Sequence, residues 1–418
     1  MMVREACWKT RSLGKICELN PRDEASRDPT TPVSFVPMPA VSELEGIILP
    51  HSSKPFSEVA KGYTRFRNGD VIFAKITPCM ENGKIALATS LTNGRACGST
   101  EFHVLRPGND VLAEYLWRYL RQASFREEAQ MHMTGAVGQR RVPAQFLRDA
   151  VMPLPTIQEQ QSILVKLSNL LSRSKIAREE LDHIPKLAER YKRAALSAAF
   201  LGGSSSEPGE VQPFALAKLA DLITDIRYGT SAKCDYDPTP YPVLRIPNVA
   251  SGRIDTDDMK YGRFSDQETA KLALEQGDLL VVRSNGSLDL VGRVALVTKK
   301  TAGFLFAGYL IRLRPDQSKI IPQYLAYAFE VPAIRADVER FAKSTSGVNN
   351  INSEQLKSLE IPLPSLHEQR AIVEKLDNSL TMLSAMKKEA QKGMAYIDRL
   401  ESGILAKAFR GNLDLGTL

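Results

Sequence analysis

The sequence is poor in the residues that support metal or redox chemistry. Its five cysteines (Cys7, Cys17, Cys79, Cys97 and Cys234) include no C-x-x-C, and its five histidines (His51, His103, His132, His183 and His367) have no H-x-x-x-H or H-E-x-x-H spacing. Neither a disulfide framework nor a zinc site is expected. No apolar run approaches the roughly 20 residues of a membrane helix. The opening MMVREACWKT lacks the apolar stretch of a secretory signal, so a soluble, cytoplasmic protein without membrane association is expected. There is no G-x-x-x-x-G-K-[ST], no G-x-G-x-x-G after a strand and no G-x-S-x-G, which leaves ATP hydrolysis and nicotinamide chemistry without a home. DPTPY (237–241) has only a superficial likeness to the Asp-Pro-Pro-Tyr of adenine methyltransferases, because Thr239 splits the prolines and no glycine-rich cofactor motif precedes it. Glu81 and Lys84 lack the spaced carboxylates of a metal nuclease and read as loop charge.

What is present is enough for a substantial core: 418 residues, 43% hydrophobic and 25% charged, a length that suits two to four units. The positive charge is uneven. Residues 1–203 hold 28 Lys+Arg against 21 Asp+Glu, whereas residues 204–418 hold 27 of each. The pI near 9.0 is compatible with a polyanionic partner.

The dominant feature is an internal repeat. Residues 153–202, opening PLPTIQEQQ, align without a gap on residues 362–411, opening PLPSLHEQR, with sixteen of fifty positions identical. Such a period far exceeds that of solenoid repeats. Fainter matches extend upstream in the same order: NGDVIFAKI (68–76) with QGDLLVVRS (276–284), NGKIALAT (82–89) with VGRVALVT (291–298), VLRP (104–107) with RLRP (312–315), and YLWRYL (115–120) with YLAYAF (324–329). The chain therefore reads as variable domain, similar segment, variable domain, similar segment.

The similar segments predict long helices. Ile163, Leu167, Leu170, Ser174, Ala177, Leu181, Ile184, Ala188, Tyr191, Ala195 and Ala198 follow 4,3 spacing, as do Ile372, Leu376, Ser379, Leu383, Met386, Ala390, Gly393, Ile397, Leu400 and Ile404; both are heptad seams. Thr156 with Glu159, and Ser365 with Glu368, are capping-box signatures after Pro-x-Pro, and Gly202 or Gly411 stops each helix. Pro185 and Gly393 predict a kink or a break. Since the first helix carries the chain away from the first domain, through the linker at 202–210, and the second must return, the pair is expected to be antiparallel with one variable domain at each end.

The variable domains read as α/β. Strands are expected at 71–76, 84–89 and 101–107 with Asn-Gly turns at 82–83 and 93–94, then an amphipathic helix over 111–130. The second domain follows suit at 278–283, 292–298, 309–315 and 322–330.

Two variable domains alternating with two long similar helices, each opening Pro153-Leu154-Pro155 with Glu159-Gln160 or Pro362-Leu363-Pro364 with Glu368-Gln369, resemble the specificity subunits of type I restriction-modification systems. The resemblance covers the whole chain, and NGSLDLVGR (285–293) and LRIPNV (244–249) look like parts of that family's target recognition domains. It implies an α/β (α+β) fold of two tandem target recognition domains separated by two long antiparallel coiled-coil helices, a pseudo-twofold internal repeat. The expected divisions are 1–152 for the first recognition domain, 153–203 for the central helical spacer, 204–361 for the second domain and 362–418 for the C-terminal spacer. It further implies a noncatalytic subunit reading a bipartite double-stranded DNA target, bound to two methyltransferase subunits and, for restriction, to motor-nuclease subunits. No cofactor is expected on this chain; S-adenosylmethionine, ATP and Mg belong to the partners. Unlike domains imply an asymmetric target.

Polar loops flanking the strands are the expected DNA contacts: Lys75, Thr77, Glu81, Asn82, Lys84, Gln139, Arg140 and Arg141 in the first domain, and Arg227, Tyr228, Thr230, Arg245, Arg283, Asn285, Ser287, Asn349 and Asn350 in the second. Gln with adenine and Arg with guanine are the natural major-groove pairings. GQRRV (138–142) falls on GVNNI (347–351) in the repeat register, a swap suited to different bases. Two other readings stay open: a self-sufficient methyltransferase or nuclease with unrecognised motifs, and an antiparallel scaffold joining two protein-binding domains.

Overall fold

The computed structural model describes residues 8–22, 28–136, 138–204, 211–238, 241–343 and 347–413. Cys7, Thr239 of the proline-rich loop and most of the linker at 202–210 lie outside these residues. The chain divides into two units, Met1–Leu181 with Gln391–Leu418, and Asp182–Ala390.

The first unit is built on an antiparallel sheet of β1 (Cys17–Leu19), β2 (Val71–Ala74), β3 (Ile85–Leu87) and β4 (Phe102–Pro107), in the order β1-β4-β2-β3. All four β2 residues are buried because their alternating side chains serve two cores. Val71 and Phe73 face a cluster containing Tyr115, Leu116 and Ile163, while Ile72 and Ala74 face one containing Val36, Phe66 and Val104. A second sheet, in which Pro32–Val36 runs parallel to Arg95–Gly98, covers the latter. The helix expected over 111–130 is instead two, Ala113–Leu120 and Ala123–Met131. Gln122 is extended at the junction. The break lets Arg121 donate to the carbonyls of Leu44 (2.7 Å) and Gly83 (3.0 Å), and sets Phe125 edge-on to Phe73.

The second unit repeats this plan. Strands β5 (Ile223–Tyr228), β6 (Leu279–Val282), β7 (Val294–Leu296) and β8 (Leu310–Pro315) pair in the order β5-β8-β6-β7. Leu279 and Val281 again face one core, Leu280 and Val282 the other. Buried polar pairs recur at the same places: Arg106 forks onto Asp70 (2.8 and 2.9 Å), and Arg314 onto Asp278 (2.8 Å twice). Tyr115 donates to the carbonyl of Pro153 and Tyr324 to that of Pro362. Tyr115 also packs on Phe409, and Tyr324 on Phe200.

The long helices are α1 (Ile157–Leu201) and α2 (Leu366–Phe409). The capping boxes form as read: the Glu159 carboxylate accepts from Thr156 N (2.8 Å) and that of Glu368 from Ser365 N (2.9 Å). Both helices run unbroken through Pro185 and Gly393, so the expected break is absent. Their packing is antiparallel in each unit. In the first, Ser174 and Arg178 bond to Glu401 and Arg178 to Asp398, with Leu181 against Gly393. In the second, Lys387 donates to Glu189.

The seams differ in detail from the heptads read from sequence. Ile163, Leu167, Leu376 and Ile397 are buried, and Leu170, Leu181, Ile184, Ile372 and Leu383 are half-buried. Tyr191 (56% exposed), Met386 (48%) and Leu400 (56%) face outward and are corrected. Their inward neighbours are Lys192, Lys387 and Glu401, which make ion pairs to Glu330, Glu189 and Arg178. The inward face of α1 passes through Ser174, Arg178, Leu181, Ala188 and Lys192, a drift expected of a helix of 3.6 residues per turn that does not hold a strict seven-residue repeat.

Candidate nucleic-acid interface

In both domains a later segment straps the chain as it leaves the central strand. Val142 N donates to the carbonyl of Lys75 (2.8 Å), and Ile351 N to that of Arg283 (2.9 Å). From the other side Lys75 N donates to Glu101 O and Arg283 N to Tyr309 O, both at 2.9 Å. One backbone frame thus presents three equivalent positions: Lys75, Glu101 and Arg141 in the first domain, Arg283, Tyr309 and Asn350 in the second.

In the first domain Arg141 forks onto Glu101, with Nε and Nη2 each 2.9 Å from a carboxylate oxygen. That hydrogen bonding holds the Glu101 carboxyl below its ordinary pKa. Thr77 N donates to Arg140 O (3.0 Å), which brings Lys75, Thr77, Gln139, Arg140 and Arg141 together. Gln139 is exposed and Arg140 half-buried. Beneath the strap His103 is buried, its Nε2 donating to Val142 O (2.9 Å) and its Nδ1 accepting from Asn20 (3.1 Å). Burial lowers its pKa. Glu81 accepts from Thr77 and Asn82 reaches Glu43. Lys84 is a correction: its side chain is 14% exposed and its ammonium donates to Val41 O (2.8 Å), which spends its charge inside the domain.

In the second domain Tyr228, Thr230, Arg283 and Asn350 line an open cleft of about 640 Å³, with Tyr309 at its edge 65% exposed. Arg283 lies over the Tyr228 ring at 4.8 Å, and its Nε donates to Asn350 Oδ1 (3.1 Å). Asn285 pairs with Asn349 in a short ladder, and Ser287 N caps on the Asn285 side chain (2.8 Å). Arg227 is engaged by Asp225 and Arg245 by Asp258; neither lines the cleft. Sequence reading missed Tyr309 and Glu101, which sit inside apolar strand-like runs. Aligning them on the repeat would have set them opposite one another at the end of equivalent strands.

Among the described residues no cluster of three His, Cys, Asp or Glu is placed to hold a metal ion, and no helix is long and apolar enough to cross a membrane. The family model "Type I restriction modification DNA specificity domain" matches this chain twice, over residues 6–186 and 208–392. The chain belongs to the type I restriction-modification specificity subunits. It is 29% identical over 326 residues to the EcoKI specificity subunit of Escherichia coli K12, covering 77% of this chain and 68% of that protein. It is also 39% identical over 166 residues to the EcoAI specificity subunit of Escherichia coli, covering 40% of this chain and 28% of that one. Among solved structures, a chain of a type I restriction-modification complex has a TM-score of 0.79 at 24% identity, covering 97% of this chain and 98% of that one. The HsdS subunit from Thermoanaerobacter tengcongensis has a TM-score of 0.60 at 23% identity, with 97% of each chain covered. These structures establish the family's fold for the chain: two mixed helix and sheet domains in tandem, with long helices.

Proposed function

We propose that this specificity subunit is noncatalytic and reads an asymmetric bipartite duplex, one half-site for each recognition domain (1–152 and 204–361), with the helical spacers (153–203 and 362–418) fixing the gap and docking two methyltransferase subunits. The observation that carries this reading is the strap: one backbone frame, built twice, bearing Lys75, Glu101 and Arg141 in one copy and Arg283, Tyr309 and Asn350 in the other. A frame that is kept while its polar side chains change is what two unlike base sequences require.

Docking is supported by the outward faces of the helices. Leu187 and Tyr191 on α1 and Tyr396 and Leu400 on α2 occupy equivalent repeat positions, four residues apart, and all are more than half exposed. Such duplicated apolar pairs suit two copies of one partner. Motor-nuclease subunits join the same assembly for restriction. S-adenosylmethionine, ATP and Mg are carried by the partners.

The test is to express the chain with its methyltransferase and map methylated adenines genome-wide. A two-part asymmetric motif is expected. A continuous motif, or methylation unchanged by deletion of residues 204–361, overturns the proposal.

A further inference from the structure

Resting on that reading, we propose that Arg283 reads a guanine of the half-site recognised by the second domain, with Tyr228 and Asn350 as its positioning residues. Arg283 follows directly on Val282, the last and fully buried residue of β6, so its backbone is anchored in the core. Three contacts fix the side chain. Its guanidinium lies 4.8 Å over the Tyr228 ring, its Nε donates to Asn350 Oδ1 at 3.1 Å, and Nη1 approaches the carbonyl of Gly308 at 3.5 Å. The supports are themselves held. Ser353 N donates to the Tyr228 hydroxyl at 2.9 Å, and Asn349, the neighbour of Asn350, donates to Gly286 O at 3.1 Å.

The charge of Arg283 is not neutralised within the cleft. Among the described residues no Asp or Glu lines it, whereas the clefts lined by Asp377, by Glu189, by Glu128 and by Glu275 each have a carboxylate in the wall. A β-carbon on Gly229 would meet the carbonyl oxygens of Phe306 and Ala307 at 2.3 and 2.4 Å, so only glycine lets the chain after Tyr228 lie this close to the Phe306–Ala307 backbone. A planar fork held by stacking and by bonds from two of its nitrogens, Nε and Nη1, is pre-organised to donate its remaining N–H groups, one on Nη1 and two on Nη2, to an edge with two acceptors. In the major groove guanine O6 and N7 are that edge. The equivalent place in the first domain cannot do the same: Lys75 has no fork, and the fork of Arg141 is engaged by Glu101.

The test uses the full chain assembled with its methyltransferase and a panel of duplexes in which each guanine of the target is replaced in turn by 7-deazaguanine or by another base. With the natural chain, replacing one guanine in the second half-site is expected to lower the methylation rate by about tenfold or more. With Arg283→Ala that position alone ceases to discriminate, while every position of the first half-site keeps its selectivity. Tyr228→Ala and Asn350→Ala relax the same position; Tyr228→Phe, which keeps the ring, retains it, and Arg283→Lys restores it in part. If Arg283→Ala fails to fold, Asn350→Ala, whose side chain is exposed, carries the test. A second half-site without guanine, Arg283→Ala that discriminates as before, or Arg283→Ala that loses selectivity evenly at all positions overturns the assignment. Absence of any bipartite target for the natural complex would instead defeat the broader reading.

Discussion

A β-carbon on Gly393 would stand 2.9 Å from Cδ1 of Leu181 and 3.4 Å from its Cδ2, so the two long helices touch here with nothing between them but one leucine. The obstacle is the tip of a flexible side chain. Gly393→Ala gains about 1 kcal/mol of helix propensity, and displacing the Leu181 tip costs about 0.5–1.5 kcal/mol. The two nearly cancel, and the urea midpoint should stay close to that of the natural chain. Gly393→Phe, which has to overpack the same gap, should cost about 1–3 kcal/mol. Equal tolerance of both would show that the helices are not in contact at this level.

Gln160 and Gln369 clamp each helix start to the domain before it. Gln160 accepts from Leu112 N (2.8 Å) and donates to the carbonyls of Asp110 (2.9 Å) and Pro155 (3.0 Å). Gln369 accepts from Ile321 N (2.8 Å) and donates to those of Lys319 and Pro364 (3.0 Å each). Both side chains are fully buried. Replacing either by Ala orphans one N–H and two carbonyls, at about 1–3 kcal/mol for an unsatisfied buried group. Gln→Glu at either position should be at least as costly, since it sets a carboxylate against two carbonyls. Chemical denaturation of the four variants measures this, and loss of less than about 0.5 kcal/mol, the usual range for a surface substitution, would refute the clamp.

What could be read from the sequence was local or duplicated. The capping boxes need only Thr156 with Glu159 and Ser365 with Glu368, three residues apart, and the strands at β2 and β6 showed as apolar runs in register with each other. The role of Gln160 was hidden because its partners lie 48 and 50 residues upstream. The same holds for Lys84, which reads as a surface lysine but serves a carbonyl 43 residues away. At Met386 and Leu400 hydrophobicity does not mark the inward face of the helix, since both side chains are exposed. Lys387 and Glu401 occupy it instead, their charges matched across the pair by Glu189 and Arg178. At the candidate site the alignment of GQRRV on GVNNI was available, but which side chains remain free is decided by ion pairs such as Arg141 with Glu101 that no local pattern reports.

His103 gives the first domain a pH dependence. Burial lowers its pKa from the ordinary 6.5, the Val142 carbonyl and Glu101 oppose the shift, and Lys75 adds to it. Below pH 6.5 the unfolded chain therefore binds a proton that the folded domain resists, so stability is complete above about 6.5 and falls as pH drops below it. His103→Gln keeps a donor for the Val142 carbonyl and removes the titration. Its denaturation midpoint should change less than that of the natural chain as pH is lowered from 7 towards 5. Parallel pH profiles for the two would show that His103 contributes nothing in this window.

Arg140 and Lys84 should separate binding from folding. The Arg140 side chain stands half-exposed on the strap, whereas the Lys84 ammonium is tied to the Val41 carbonyl and lies 3.7 Å from Glu43. If Arg140 meets a phosphate, Arg140→Ala should weaken duplex binding for specific and unrelated sequences alike and reduce the slope of log K against log salt by about 1. Lys84→Met should leave that slope unchanged. It should instead lower the stability of the first domain by about 1–3 kcal/mol, because the Val41 carbonyl loses its charged donor. Salt titrations of binding beside urea denaturation of the same preparations distinguish the two. A reduced slope for Lys84→Met with unaltered stability would reverse the assignment and return Lys84 to the DNA-facing surface.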